Sequence, residues 1–309
     1  MKMPKLLHPG DLVAITAASG PCDPAKLAIG VKIIENLGLK VQVMPSCYAR
    51  HDYLAGTDAL RLSNLHEAFA AKEVCAIFMA RGGYGAARLL PHLNYALIRQ
   101  NPKPLIGFSD VTALHIAINQ NCGLITFHGP MPATAFEPDA LTIASLCNNI
   151  FASSTTPLHP PPTTTIVSGK AEGILTGGNL SVIAASLGTP YEIKTRGRIL
   201  FLEEIQESPY RVDRLLLQLQ QAGKLNDAAG IILGDFSPET LETLSTAIKE
   251  IIIPENKPTI ANLPCGHTTP NITLPLGGWA KINAEASMES AHQLEIHAHP
   301  EILGVHKQS

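Results

Sequence analysis

Four times before residue 125 a short apolar run is followed by residues spaced for one face of a helix, and this alternation constrains the fold more than any other feature. The runs are "DLVAITAAS", "KVQVMPS", "VCAIFMA" and "PLIGF". The segments that follow are "DPAKLAIGVKIIENLG", closing on a glycine suited to a helix C-cap at Gly38, "GTDALRLSNLHEAFAA", "AARLLPHL" and "VTALHIAINQN". Strand–helix units repeated in this way imply parallel strands, because each helix carries the chain back to start the next strand, with helices covering both faces of the sheet. Residues 1–150 therefore read as an α/β domain.

The alternation stops at "ASSTTPLHPPPTTTI", residues 152–166, where proline, serine and threonine can sustain neither a helix nor an interior strand. Residues 151–167 read as a linker, and 168–309 as a second domain; 309 residues exceed the usual size of one hydrophobic core. In that second part "AEGILTGGN", "RILFLEE" and "GIILGDF" are strand-like, and "SPYRVDRLLLQLQQAG" and "PETLETLSTAIKEI" are helical. "KPTIANLPCGH", "ITLPLGGWAKIN" and "QLEIHAH" give a strand-rich end, so this domain reads as mixed α/β with more β structure than the first.

Composition removes several function classes. With 45% hydrophobic and 16% charged residues the chain is too apolar for disorder, and a net charge of −3 offers no basic footprint for nucleic acid. No apolar run approaches the roughly 18 residues of a membrane span, and the first twenty residues lack a signal-peptide core, so a cytoplasmic protein with no membrane partner is expected. Six cysteines without a C-x-x-C pair suit reduced thiols better than disulfides or zinc. His297 and His299 could share a strand face, but no third ligand is evident, and no metal is expected. The glycines of "RGGYG" do not fit G-x-G-x-x-G, and no P-loop pattern occurs, which argues against a nucleotide cofactor.

Four strand candidates end in small or polar residues: "FMARGGYG" (78–85), "IGFSD" (106–110), "ILTGGN" (174–179) and "LFLEE" (200–204). In open α/β sheets ligands collect at such carboxyl ends. Read locally, Ser109 is most simply a helix N-cap, although Asp110 could cap instead and leave Ser109 free. The strand–turn–helix setting resembles a nucleophile elbow, but Val111 stands where the second glycine of G-x-S-x-G belongs. A serine nucleophile needs a base and the base an orienting carboxylate. His267 follows a strand and a glycine in "PCGHTTPNITLPLGG", a setting that equally suits a solvated loop histidine. Glu203 and Glu204 close a very apolar strand, where a charge needs a partner unless the strand end is solvated, and alternation lets only one face a given cleft. Gly82, Gly83 and Gly85 carry no Cβ, so their loop serves either as a tight turn or as backbone donors that approach a ligand closely.

Taken together, "RGGYG", "GFSD", "GGNL", "LFLEE…PYRVDRLLLQL" with "IILGDF", "GHTTPNITLPLG" and the opening "PGDLVAITAASG" resemble the LD-carboxypeptidase family, the muramoyl-tetrapeptide carboxypeptidase or microcin-immunity group of serine peptidases. The resemblance implies a Rossmann- or flavodoxin-like first domain and a second domain with a small β-barrel-like core. It also implies a homodimer, with no metal or organic cofactor. Carried over motif by motif, it makes Ser109 the nucleophile, Glu203 the triad carboxylate and His267 the base, with backbone N–H groups of Gly83 and Asp110 as the oxyanion hole. Glu204 stands where relatives often have Asp. Charge and neighbouring motifs suggest Arg81, Tyr210 and Arg211 for the substrate carboxylate.

The implied reaction is release of terminal D-Ala from murein tetrapeptide, at the L,D bond to the diamino acid, in cytoplasmic peptidoglycan recycling. Hydrolysis of a microcin-type peptidyl-nucleotide is the neighbouring alternative. A non-enzymatic two-domain ligand-binding protein, with Ser109 merely capping a helix, is the alternative from another class.

Overall fold

The computed structural model describes residues 1–134, 139–151, 161–285 and 293–297. The chain divides into two compact units, one running from Lys2 to Ser153 and regaining Thr269–Leu274, the other running from Ser154 to Thr268 and resuming at Pro275.

In the first unit the strands are β1 (Leu12–Thr16), β2 (Lys40–Val43), β3 (Val74–Met79), β4 (Leu105–Gly107) and β5 (Thr126–His128). They stand in the order 2-1-3-4-5, all parallel, which is the flavodoxin-like order. The central strands β1, β3 and β4 are buried almost throughout, as expected of a sheet covered on both faces. Between them run α1 (Pro24–Asn36), α2 (Asp58–Ala70), α3 (Tyr95–Gln100), α4 (Thr112–Cys122) and, after β5, α5 (Ala140–Ile150). Asp23 caps α1 through the N–H groups of Ala25 and Lys26, and Gly123 ends α4 in the left-handed conformation. The segment "AARLLPHL" differs from expectation: Ala86–His92 is a 3₁₀ helix with Pro91 inside it, since proline removes a donor and crowds the preceding turn.

The second unit holds a seven-stranded mixed sheet. Its strands are β6 (Thr164–Val167), β7 (Lys170–Asn179), β8 (Ile199–Glu203), β9 (Gly230–Leu233), β10 (Thr259–Ala261), β12 (Trp279–Asn283) and β13 (Leu294–His297), in the order 13-12-7-8-9-10-6. The four central strands are parallel and the outer pairings antiparallel. The barrel-like core is a curled half-barrel, and its two margins meet through side chains: Thr163 donates to Gln293 Oε1 at 2.6 Å, and Gln293 Nε2 donates to Thr165 at 3.1 Å. On this sheet pack α6 (Leu180–Ala185) and α7 (Pro209–Gln221), the latter burying Val212, Leu216 and Leu219.

Two boundaries differ from the reading of the sequence. The expected linker reaches 167, yet Thr164–Val167 forms the edge strand β6, antiparallel to β10; an edge tolerates the prolines just before it, where an interior position would not. Residues 152–160 of that linker lie outside the described residues. The expected second domain is unbroken, whereas Thr269–Leu274 belongs with the first unit and leads into β11 (Leu274–Leu276) at the margin of the six-stranded sheet. Main-chain N–H groups of Asn271 and Thr273 donate to Thr142 and Ser145 of α5, and Asn149 donates to the Thr273 carbonyl.

Candidate active site

At the end of β4 the backbone reverses sharply. Phe108 is extended, Ser109 adopts a left-handed conformation with φ of +64°, and a 3₁₀ turn over Ser109–Val111 runs into α4. A non-glycine residue held there costs of order 1–3 kcal/mol, and such strain concentrates at functional sites. Glycine is needed before the turn: a Cβ on Gly107 would lie 2.9 Å from Met79 Cβ and 3.1 Å from Val111 Cγ1. Val111 thus fills the room that Gly107 leaves, which explains why the second elbow glycine can be absent. A third constraint comes from the preceding β–α unit, where a Cβ on Gly82 would lie 2.7 Å from both Cβ and Oγ of Ser109. Only glycine lets this loop rest against the hydroxyl.

Capping takes a different form from the one expected. The N-cap positions of the 3₁₀ turn and of α4 are Phe108 and Val111, and neither offers a side-chain cap. Asp110 is buried and points away from its own helix, accepting from Ser19 Oγ at 2.6 Å and from the Ala86 N–H at 2.8 Å. Burial pushes its carboxyl above the usual range, against the pull of those two hydrogen bonds and of the Arg61 charge. The glycine loop is drawn to the end of β1 as well: the Gly20 N–H donates to the Gly82 carbonyl at 3.1 Å. Gly83 is exposed, with φ of +113°, and a Cβ there would lie 3.3 Å from Gly20. This loop stands beside the β1/β3 position where strand order reverses, the usual ligand crevice of such sheets.

In the second unit the structure brings together Glu203 and His267. Glu203 ends β8 with no solvent exposure, and its Oε2 accepts from His267 Nδ1 at 2.8 Å. The contact fixes the tautomer, placing the proton of a neutral ring on Nδ1 and leaving Nε2 as the basic nitrogen. Glycines make room for the carboxylate: a Cβ on Gly266 would lie 2.7 Å from Glu203 Oε2, and one on Gly234 would lie 3.2 Å from Glu203 Cβ. Glu204 faces the other way, as strand alternation requires. Its Oε1 accepts from Asn179 Nδ2 at 3.0 Å and the Ile205 N–H at 2.9 Å, and its Oε2 from the Ser181 N–H at 2.8 Å, so it anchors the start of α6.

Arg81 is half-buried in the first unit, with its guanidinium on the carbonyls of Gly82 and Pro21 at 3.2 and 3.1 Å. Tyr210 and Arg211 stand exposed on α7 in the second; Arg211 Nε donates to the Tyr210 hydroxyl at 3.1 Å and Nη1 to Glu207 at 3.2 Å. Sequence reasoning missed Arg61, which is wholly buried on α2 with its Nη1 on the carbonyls of Ala18 and Gly85. Its signal was present, since Arg61 occupies the stripe that Leu65, Ala68 and Phe69 mark as the buried face. Among the described residues no cluster of side chains has the makings of a metal site, and His299 lies outside them. No described helix is long and apolar enough to cross a membrane.

Comparison with known proteins gives the family. Residues 13–129 match the LD-carboxypeptidase N-terminal domain and residues 172–282 the LD-carboxypeptidase C-terminal domain. The chain is 43% identical to a probable murein peptide carboxypeptidase of Bacillus subtilis over 291 residues, 91% of each chain. It is 32% identical to the murein tetrapeptide carboxypeptidase of Pseudomonas aeruginosa over 282 residues, 86% of this chain and 91% of the other. Among solved structures, an MccF-like protein from Bacillus anthracis superposes with a TM-score of 0.89 at 29% identity, covering 97% of this chain and 100% of the other.

Proposed function

The chain belongs to the LD-carboxypeptidase family of serine peptidases, and from that premise we propose that it removes the terminal D-Ala of murein tetrapeptides with a Ser109–His267–Glu203 triad. The observation that carries the reading is the wholly buried Glu203 bonded to His267 Nδ1 at 2.8 Å. A general base needs a carboxylate that holds its imidazole in one tautomer, and this contact favours the peptidase over a simple ligand-binding protein.

In the proposed reaction His267 Nε2 accepts the proton of Ser109 as Oγ attacks the carbonyl of the diamino acid. Backbone N–H groups of Asp110 and Gly83 stabilise the tetrahedral oxyanion. Collapse breaks the C–N bond, His267 returns the proton to the departing amine of D-Ala, and Ser109 holds the tripeptide as an ester. Water, deprotonated by His267, then releases the tripeptide and restores the hydroxyl. Glu203 orients the imidazole and stabilises its charged form throughout. General base catalysis contributes about 10²–10⁴-fold and one oxyanion donor about 10²–10³-fold. Arg81, Tyr210 and Arg211 supply cationic and hydroxyl groups for the substrate carboxylate. The enzyme acts, on this proposal, as a homodimer in cytoplasmic turnover of cell-wall peptides.

Incubation with L-Ala-γ-D-Glu-meso-diaminopimelate-D-Ala should liberate free D-Ala, and Ser109→Ala should liberate none. Equal release by both proteins would end the serine mechanism. A parallel incubation with a peptidyl-adenylate separates the microcin-type reading, whose success would be faster cleavage of the nucleotide than of the tetrapeptide.

A further inference from the structure

Ala18 and Ser19 follow β1, while Gly85 and Ala86 close the glycine loop; between these two segments lie one buried cation and one buried anion. Arg61 Nη1 donates to the carbonyls of Ala18 and Gly85, the latter at 2.9 Å. Asp110 Oδ2 accepts from Ser19 Oγ at 2.6 Å and from the Ala86 N–H at 2.8 Å. Each charged group therefore takes one partner from each segment, and the partners are adjacent residues: carbonyls go to the cation, and the donors next along the chain go to the anion. Gly85 is shaped to this contact, with φ of +129° and space so tight that a Cβ would lie 2.7 Å from Arg61 Nη1.

Charge is compensated locally. Arg61 Nη2 is bonded to Asp58, which Arg88 grips from outside with Nε and Nη2 at 2.7–3.0 Å. Arg61 Nε has no partner among the described residues, so the guanidinium is held only on the edge that faces the two segments and Asp58. A buried charge pair is poor evidence of stability, because well-packed apolar residues of similar volume often serve as well. What the pair adds is registration of main chain, and the main chain it registers adjoins Gly82, the residue that rests on Ser109.

We propose that Arg61 and the side chain of Asp110 form a clasp that fixes the glycine loop against Ser109 and so sets the oxyanion site. Arg61 is in this sense a positioning residue, and the inference rests on the reading of Ser109 as nucleophile. Misplacing donors by a fraction of an ångström weakens stabilisation of the transition state more than binding of the ground state, so the loss should fall on kcat.

The test compares wild type, Arg61→Met and Arg61→Lys by circular dichroism, by kcat and KM for D-Ala release, and by the rate at which a fluorophosphonate labels Ser109. The phosphonylation transition state uses the same donors and needs no peptide. A folded Arg61→Met should lose about 10²–10³-fold in kcat, as for a lost oxyanion donor, with KM within a few-fold and labelling slowed in parallel. Arg61→Lys, a point charge that reaches fewer carbonyls, should fall between. A folded Arg61→Met with wild-type kcat and labelling rate, or with only KM raised, overturns the clasp; if that variant does not fold, wild-type labelling of Arg61→Lys does so. D-Ala release by Ser109→Ala equal to that of the wild type would remove the serine reading, and the clasp with it.

Discussion

Ser109 follows β4 by two residues and Glu203 closes β8, yet the two are held by different forces. Around Ser109 the work is done by backbone: a left-handed φ, and glycines at 82 and 107 whose missing Cβ atoms allow close approach. Around Glu203 it is done by side-chain electrostatics, since a carboxylate without solvent exposure is tolerated because it has His267 as partner. Both regions depend on glycines for room, those of the second being Gly234 and Gly266; what sets the second apart is a side-chain contact that is lost when the charge of Glu203 is removed.

That contrast can be broken in steps. Ser109→Ala removes the attacking atom and should lower kcat by about 10⁶-fold, read as D-Ala release, with the fold intact and the backbone strain unrelieved. Glu203→Gln keeps the shape of the second region but loses the carboxylate that fixes the tautomer; about 10⁴-fold in kcat is expected. Gly82→Ala keeps every catalytic atom and adds one methyl 2.7 Å from Ser109 Oγ, so the hydroxyl or the loop must shift. A fall of about 10²–10³-fold is expected, read both in kcat and in fluorophosphonate labelling. Should Gly82→Ala be harmless while Glu203→Gln is crippling, close approach of the loop is not what sets the first region.

The smallest expected effect concerns stability. His115 on α4 is wholly buried, and its Nε2 bonds the Gly107 carbonyl at 2.8 Å, just before the turn. Burial pulls its pKa down to about 3, against the gain from that carbonyl. A depressed pKa in a cationic acid means that the unfolded chain binds the proton more readily. The stabilising contribution is therefore full above pH of about 6.5 and is lost progressively as pH falls toward about 3. Thermal melts across that window should show a decline in wild type that is shallower in His115→Gln; identical slopes would refute it.

Much of the fold was legible because it is written in local period: strand–helix alternation gave parallel pairing, and alternation along β8 separated Glu203 from Glu204. The candidate triad residues were legible only as motifs, each with an ordinary structural use beside it. What could not be read is long-range. Asp110 looks like a cap to its neighbours in sequence, and nothing near it announces Ser19, 91 residues earlier. Arg61 shows in the helical stripe as an anomaly, but the carbonyls that accept from it lie in two other loops. The prolines before β6 describe an edge as well as they describe a tether, and only pairing with β10 decides between them.

The return of Thr269–Leu274 to the first unit has a consequence for modularity. Residues 2–153 taken alone lack the stretch whose main chain bonds Thr142 and Ser145 on α5. Recombination at the Ser/Thr/Pro-rich segment would therefore not exchange whole units, because each new first unit would receive this stretch from a foreign second half. His267, the proposed base, lies two residues before the stretch begins, so the two are inherited together. Exchange at the Ser/Thr/Pro-rich segment would therefore separate α5 from the stretch that evolved against it.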